Sequence, residues 1–151
     1  MQQYIAILGI LSAISMVGYD VNDNADTETS SYDYLKSQLA ETGNSIFFDV
    51  NSYYIRPSEI QLLSNLASFL EKNDCDFLIE GHTDEHGSRN SSIALGFHRA
   101  YSVFNYFLAG GINQSRMKVT SYGKEVPSML GRDENAYAKN RRVVIVLKEC
   151  R

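Results

Sequence analysis

Between Pro57 and Asn73 the residues Ile60, Leu63, Leu66, Ala67 and Leu70 recur at helical spacing, and a short apolar run stands on each side of that stretch. Upstream is Ile46-Phe47-Phe48-Asp49-Val50, bulky and β-branched; downstream is Asp76 to Glu80. Proline suits the first helical position, so Pro57 opens the helix, and Asn73 ends it. A helix with one apolar stripe must bury it against a second layer, and strands before and after supply a sheet for that layer. The alternation then repeats. Ser91 or Ser92 is expected to cap a helix that runs to about Leu108, where Gly110-Gly111 stops it, with Gly96, Ala100, Val103 and Phe107 along one face. Lys118 to Tyr122 reads as a strand. After a loop with Pro127 and Gly131, Asp133 is expected to cap a short helix near Glu134 to Lys139, and Arg142 to Leu147 closes the chain as a strand. The order β-α-β-α-β-(loop, short helix)-β predicts an α+β or α/β sandwich with some parallel pairing.

With 151 residues, 44% of them hydrophobic, the chain has room for one domain with a real core and little for two. The formal charge of −4 speaks against a nucleic-acid binder. Nine of the 14 basic residues nevertheless lie from Arg116 onward, which suits either an anionic ligand or, more commonly, a solvated strand face. The two cysteines, Cys75 and Cys150, have no metal-type spacing; they are free thiols in a reducing compartment and able to pair in an oxidising one.

Residues 1–18 read as a signal-peptide-like segment, because Tyr4 to Gly18 is an uncharged run of 15 residues, short for a membrane span of about 20 residues. A buried helix is the alternative. Met16-Val17-Gly18 resembles the lead-in to a lipidated cysteine, but Tyr19 follows, and without a thiol no thioether to lipid forms. Residues 19–44 are acidic and Ser/Thr/Asn-rich, a composition that buries too little apolar surface to offset its ordering entropy. They are expected to be a flexible tether, with at most a short helical turn over Tyr32 to Leu39, before a folded unit over 45–151.

The chemistry concentrates in Glu80 to Ser88, EGHTDEHGS, at the end of the second strand. Three readings compete. His82, Asp84 and His86 alternate, so an extended backbone would aim all three at one metal, and a metal-dependent hydrolase follows from that. Gly81 and Gly87 imply turns that spoil the alternation. Ser88 or Ser91 beside a histidine would supply a nucleophile and base, yet serines at a helix start are more often caps and no G-x-S-x-G elbow is present. The third reading is a ligand that is held without reaction. Arg99 sits at the border of the apolar helix face, where a guanidinium needs an anionic partner. Asp84 and Arg99 either pair with each other or clamp a zwitterion, the carboxylate taking an ammonium and the guanidinium a carboxylate.

EGHTDEHGS, IALGFHRA (Ile93 to Ala100), SYGKEVP (Ser121 to Pro127) and NRRVVIVL (Asn140 to Leu147), in that order, resemble the OmpA-like domain. Phe47-Phe48-Asp49, Gly96 after Leu95, and LGRDENAYAKNRR are most like its peptidoglycan-associated lipoproteins (Pal). The resemblance covers about Ser45 to Leu147. It implies an OmpA-like βαβαββ sandwich of the α+β class, with a mixed four-stranded sheet and helices packed on one face. It implies non-catalytic binding of peptidoglycan through the meso-diaminopimelate of the stem peptide, with no cofactor and no metal. It further implies a place on the periplasmic side of a Gram-negative outer membrane, tethered to the wall, with Tol proteins as partners in envelope integrity and cell division. The family's binding Asp and Arg fall on Asp84 and Arg99; Phe48 and Asp49 match its ligand-lining strand end, and Arg141 or Arg142 its NRR segment. His86 and Ser88 belong to the same loop. Ser92 stands where the family usually has Asn, and His86 where it often has Arg. Because the family fold pairs the last strand with the second, a disulfide between Cys75 and Cys150 is implied, with Cα atoms at about 4.4–6.8 Å.

Overall fold

The structure is a computed structural model describing residues 24–151, with side chains from Ser31 onward. The signal-like segment 1–18 and Tyr19 lie outside the described residues. Among the described residues the order is α1 (Asn24–Thr42), β1 (Ser45–Phe47), a 3₁₀ turn (Pro57–Glu59), α2 (Ile60–Lys72), β2 (Cys75–His82), α3 (Arg89–Ala109), β3 (Met117–Gly123), α4 (Glu134–Asn140) and β4 (Arg142–Cys150). The strands form one mixed sheet in the order β1-β4-β2-β3, in which β2 and β3 are parallel and the pairs β1–β4 and β2–β4 antiparallel.

One face of that sheet meets the helices. Cys75, Phe77 and Ile79 alternate inward from β2 and are completely or almost completely buried. Against them pack Leu63, Leu66 and Leu70 of α2 and Ala100, Val103 and Phe107 of α3, all fully buried. At about 25 cal/mol per Å² of apolar surface, this layer is the main favourable contribution to folding.

Of the segment expected to be a tether, Asn24–Thr42 is helical instead. On α1 the residues Tyr32, Leu35 and Leu39 share one face; Leu39 is buried in the core and the other two pack against it. The Tyr32 hydroxyl donates to the Leu147 carbonyl at 2.9 Å. Gly43, at φ +90°, ends the helix by donating its N–H to the Leu39 carbonyl. The average composition concealed three apolar residues at the right spacing, and they borrow a core that the rest of the domain builds.

β1 is shorter than the apolar run that contains it. Phe48, Asp49 and Ser52 turn their carbonyls away from the sheet to accept from Arg141 Nε (3.1 Å), Arg99 Nη2 (3.0 Å) and Arg99 Nε (2.7 Å). Charge-assisted bonds of this kind are stronger than the ladder bonds they replace. The α3 cap also lies earlier than expected. Ser88 accepts from the Ser91 N–H at 3.0 Å, so the helix begins at Arg89; the Asp133 cap falls where the sequence places it, accepting from the Ala136 N–H at 2.8 Å.

Gly81 is no turn residue. It lies within β2, where α3 crosses so closely that a Cβ at Gly81 would run into the carbonyl of Gly96. Backbone cannot step aside as a side chain can. Gly81→Ala is therefore expected to lower stability by about 3 kcal/mol, read as a reduced urea midpoint at unchanged m value. A wild-type midpoint would remove this contact from the account.

Cys75 lies opposite Cys150 in the β2–β4 register, and the two are joined in a disulfide with Cα atoms 3.9 Å apart, closer than the range expected from sequence.

Candidate functional site

The register of β2 against β3 shifts between Gly81 and His82. Such an irregularity re-aims the side chains beyond it. His82 stays on the sheet side, 2% exposed, its ring stacked on Tyr122 with centroids 5.5 Å apart. Burial, aided by the Arg142 charge, pushes its pKa down to about 4, so it is neutral at physiological pH. Asp84 instead faces the helix side.

Asp84 is 8% exposed and held at both carboxylate oxygens. One carboxylate oxygen accepts from the His86 main-chain N–H (3.1 Å) and is 3.0 Å from His86 Nδ1; the other accepts from Arg141 Nη1 at 3.4 Å. Burial pushes its carboxyl pKa up, but the His86 and Arg141 hydrogen bonds outweigh it and leave the group below the usual carboxylate value. Arg141 is itself held by Glu134 at 2.5 Å and by the Phe48 carbonyl. Asp84 and Arg141 form an ion pair; Asp84 and Arg99 do not.

Arg99 has no exposed surface. Its guanidinium carbon lies 5.4 Å from the centroid of the Phe48 ring. Nε donates to the Ser52 carbonyl, Nη1 to that of His82 at 3.0 Å, and Nη2 to that of Asp49. A guanidinium carries five N–H groups, so these three bonds leave two, one on each terminal nitrogen. Burial pulls its pKa down to about 10, Asp84 works against that and Arg141 with it, and the group remains a cation at neutral pH.

Asp84 and Arg99 line one cavity of about 190 Å³ with His86, Val50, Asn51 and Leu95 on its walls. The serine at position 92 lines it too, its hydroxyl turned to the Arg89 carbonyl at 2.9 Å. A fixed anion and a fixed cation that do not neutralise each other thus share one small concavity. The loop beneath is braced: Lys124 Nζ donates to the Glu85 and Gly87 carbonyls, and the Tyr137 hydroxyl donates to Glu85 at 2.9 Å.

Of the residues singled out from sequence, Asp84, Arg99 and His86 meet in this cavity; Phe48 lies under Arg99, and Arg141 stands behind Asp84. Asp49 contributes its carbonyl, while its carboxylate is largely exposed, 3.7 Å from Arg56. Ser88 is occupied as the cap. Arg142 is elsewhere: it is buried on the His82 side and donates to the Val126 carbonyl at 3.3 Å. Sequence reasoning missed Asn51, whose positive φ of 49° is one that asparagine tolerates, and Lys124, which sits inside the SYGKEVP motif. The metal trio does not assemble. Among the described residues no three His, Cys, Asp or Glu side chains are placed to hold a metal ion, because the register shift separates His82 from Asp84 and His86. The hydroxyls of Ser88 and Ser91 bond to each other and to main chain rather than to a histidine base.

Residues 47–141, which carry this fold and this cavity, match the OmpA family; the chain belongs to that family. It is similar to the peptidoglycan-associated lipoprotein of Pasteurella multocida, 38% identical over 113 residues, which are 74% of this chain and 75% of that one. Its similarity to the peptidoglycan-associated lipoprotein of Haemophilus influenzae is 35% identity over 136 residues, 89% of this chain and 88% of the other. The crystal structure of the peptidoglycan-associated lipoprotein from Burkholderia pseudomallei superposes with a TM-score of 0.65 at 35% identity, covering 70% of this chain and 90% of that one.

Proposed function

We propose that the cavity binds peptidoglycan by the meso-diaminopimelate of its stem peptide. That side chain ends in an ammonium and a carboxylate on one carbon. Asp84 receives the ammonium, and the two unused N–H groups of Arg99 receive the carboxylate as a two-pronged pair. One observation carries the reading: Asp84 and Arg99 share a cavity without bonding to each other.

The names of the relatives support the same ligand, and the work is holding rather than bond making, with no cofactor or nucleic acid involved. On this reading the chain acts on the periplasmic side of a Gram-negative outer membrane and links it to the wall. Tol proteins are the partners expected of such a tether, in envelope integrity and cell division. No described helix is long and apolar enough to cross a membrane. The residues 45–151 are the binding domain.

A pull-down on purified peptidoglycan tests this, with meso-diaminopimelate as competitor. Asp84→Asn keeps the shape and removes the charge that meets the ammonium, and it is expected to weaken binding about 10- to 100-fold. Binding should survive a chelator. Full binding by the Asp84→Asn protein, or no competition by meso-diaminopimelate, would overturn the proposal.

The pH dependence has a definite sign. Asp84 has a depressed carboxyl pKa, so its anionic form is complete at neutral pH and down through the ordinary carboxylate range. Affinity is therefore expected to stay level as the medium is acidified from neutrality and to fall only as pH drops through that lowered value. Titration of binding by calorimetry reads this directly, and a loss centred near neutral pH would overturn the assignment of the ammonium to Asp84.

A further inference from the structure

The loop that walls the cavity also carries exposed aromatic surface. Tyr53 and Tyr54 follow Asn51 and Ser52, stack with ring centroids 4.9 Å apart, and are 40% and 73% exposed. Tyr53 also lies against His98 of α3, centroids 5.2 Å apart, and one helical turn on, Tyr101 is 50% exposed. Tyr53, Tyr54 and His98 make an aromatic ledge, with Tyr101 further along the same helix. Exposed contiguous aromatic surface marks a contact site.

We propose that this ledge holds the glycan strand of the same polymer whose stem peptide fills the cavity; the inference rests on that reading of the cavity. A pyranose ring presents one face of C–H groups rimmed by hydroxyls. Tyrosine and histidine match it, with an apolar ring face and a polar tip. The muramyl sugar and the diaminopimelate belong to one molecule, joined through L-Ala-γ-D-Glu, and the loop runs directly from Asn51 on the cavity wall to Tyr53 and Tyr54.

The ledge is braced against the cavity. Ser102 Oγ donates to the Tyr53 carbonyl at 2.6 Å, and Arg99 holds the carbonyls of Asp49 and Ser52. Asn51, at φ 49°, makes the bend between the part of the loop that faces the cavity and the part that faces outward. One loop therefore places two binding surfaces in a set relation, and a peptide and a sugar on one molecule engage both at little extra ordering entropy.

The experiment compares two probes by calorimetry: the free tripeptide L-Ala-γ-D-Glu-meso-diaminopimelate, and the same tripeptide on its N-acetylglucosaminyl-muramyl disaccharide. The wild-type chain is expected to bind the disaccharide form about tenfold more tightly. The double variant Tyr53→Ser with Tyr54→Ser loses that advantage and keeps its affinity for the free tripeptide. Tyr54→Ala alone, at the more exposed ring, loses part of it without touching the His98 stack. Equal wild-type affinity for the two probes, or an advantage that survives both variants, overturns the ledge and leaves the cavity reading standing. Wild-type protein that binds neither probe overturns both.

Discussion

Arg99→Met is expected to lower the unfolding free energy by about 4 kcal/mol and to abolish peptidoglycan binding. Methionine approximates the length of the arginine stem, so little cavity opens. What is lost is donation to the carbonyls of Ser52, His82 and Asp49. A buried acceptor left without its partner costs about 1–3 kcal/mol, and hydration of the loop offsets part of the sum for the three. Asp84 keeps Arg141 and is not left as a lone buried charge. Arg99→Lys separates the two roles. A lysine has three N–H groups on one nitrogen and cannot span three carbonyls and a ligand carboxylate together. It is expected to recover part of the stability and little of the binding. Urea unfolding beside a peptidoglycan pull-down makes the measurement. Should Arg99→Met unfold at the wild-type midpoint, the buried guanidinium is not what organises the loop over 49–52.

Opening the disulfide should be nearly as damaging. It closes a segment with a sequence separation of 75. Constraining a loop of that length lowers the entropy of the unfolded chain by an amount worth about 4 kcal/mol at room temperature. Cys75→Ala with Cys150→Ala, or reduction of the wild-type protein, is expected to lower Tm by on the order of 15 °C. The two cysteines sit at the open end of the β2–β4 ladder, and Asp84 lies beyond the other end of β2. The affinity for diaminopimelate at low temperature should therefore stay near wild type. A Tm unchanged by reduction would show that the ladder holds its end without the bond.

Much of the fold could be read from the chain because local pattern and final environment agree. The stripe from Ile60 to Leu70 is helical and buried as its spacing demands, and the Asp133 cap is formed by the residues at hand. Disagreement arose where long-range partners outweighed local preference. Phe48 to Val50 has strand composition, but two arginines distant in sequence claim its carbonyls. Tyr32, Leu35 and Leu39 sit in a polar segment too weak to fold alone, and only a core assembled elsewhere gives their shared face something to cover.

The site divides in the same manner. The sequence by itself determined that a carboxylate at the end of β2 and an arginine on the next helix would come near one another, because a strand and the helix after it pack together. Only the tertiary structure decided that Asp84 pairs with Arg141 and leaves Arg99 two open N–H groups. It also decided between neighbours. Arg141 closes α4 and Arg142 opens β4, so one reaches Asp84 and the other the His82 side of the sheet. Which of two adjacent arginines meets Asp84 depends on where the strand begins against its neighbours, and that is set by contacts among segments that lie far apart along the chain.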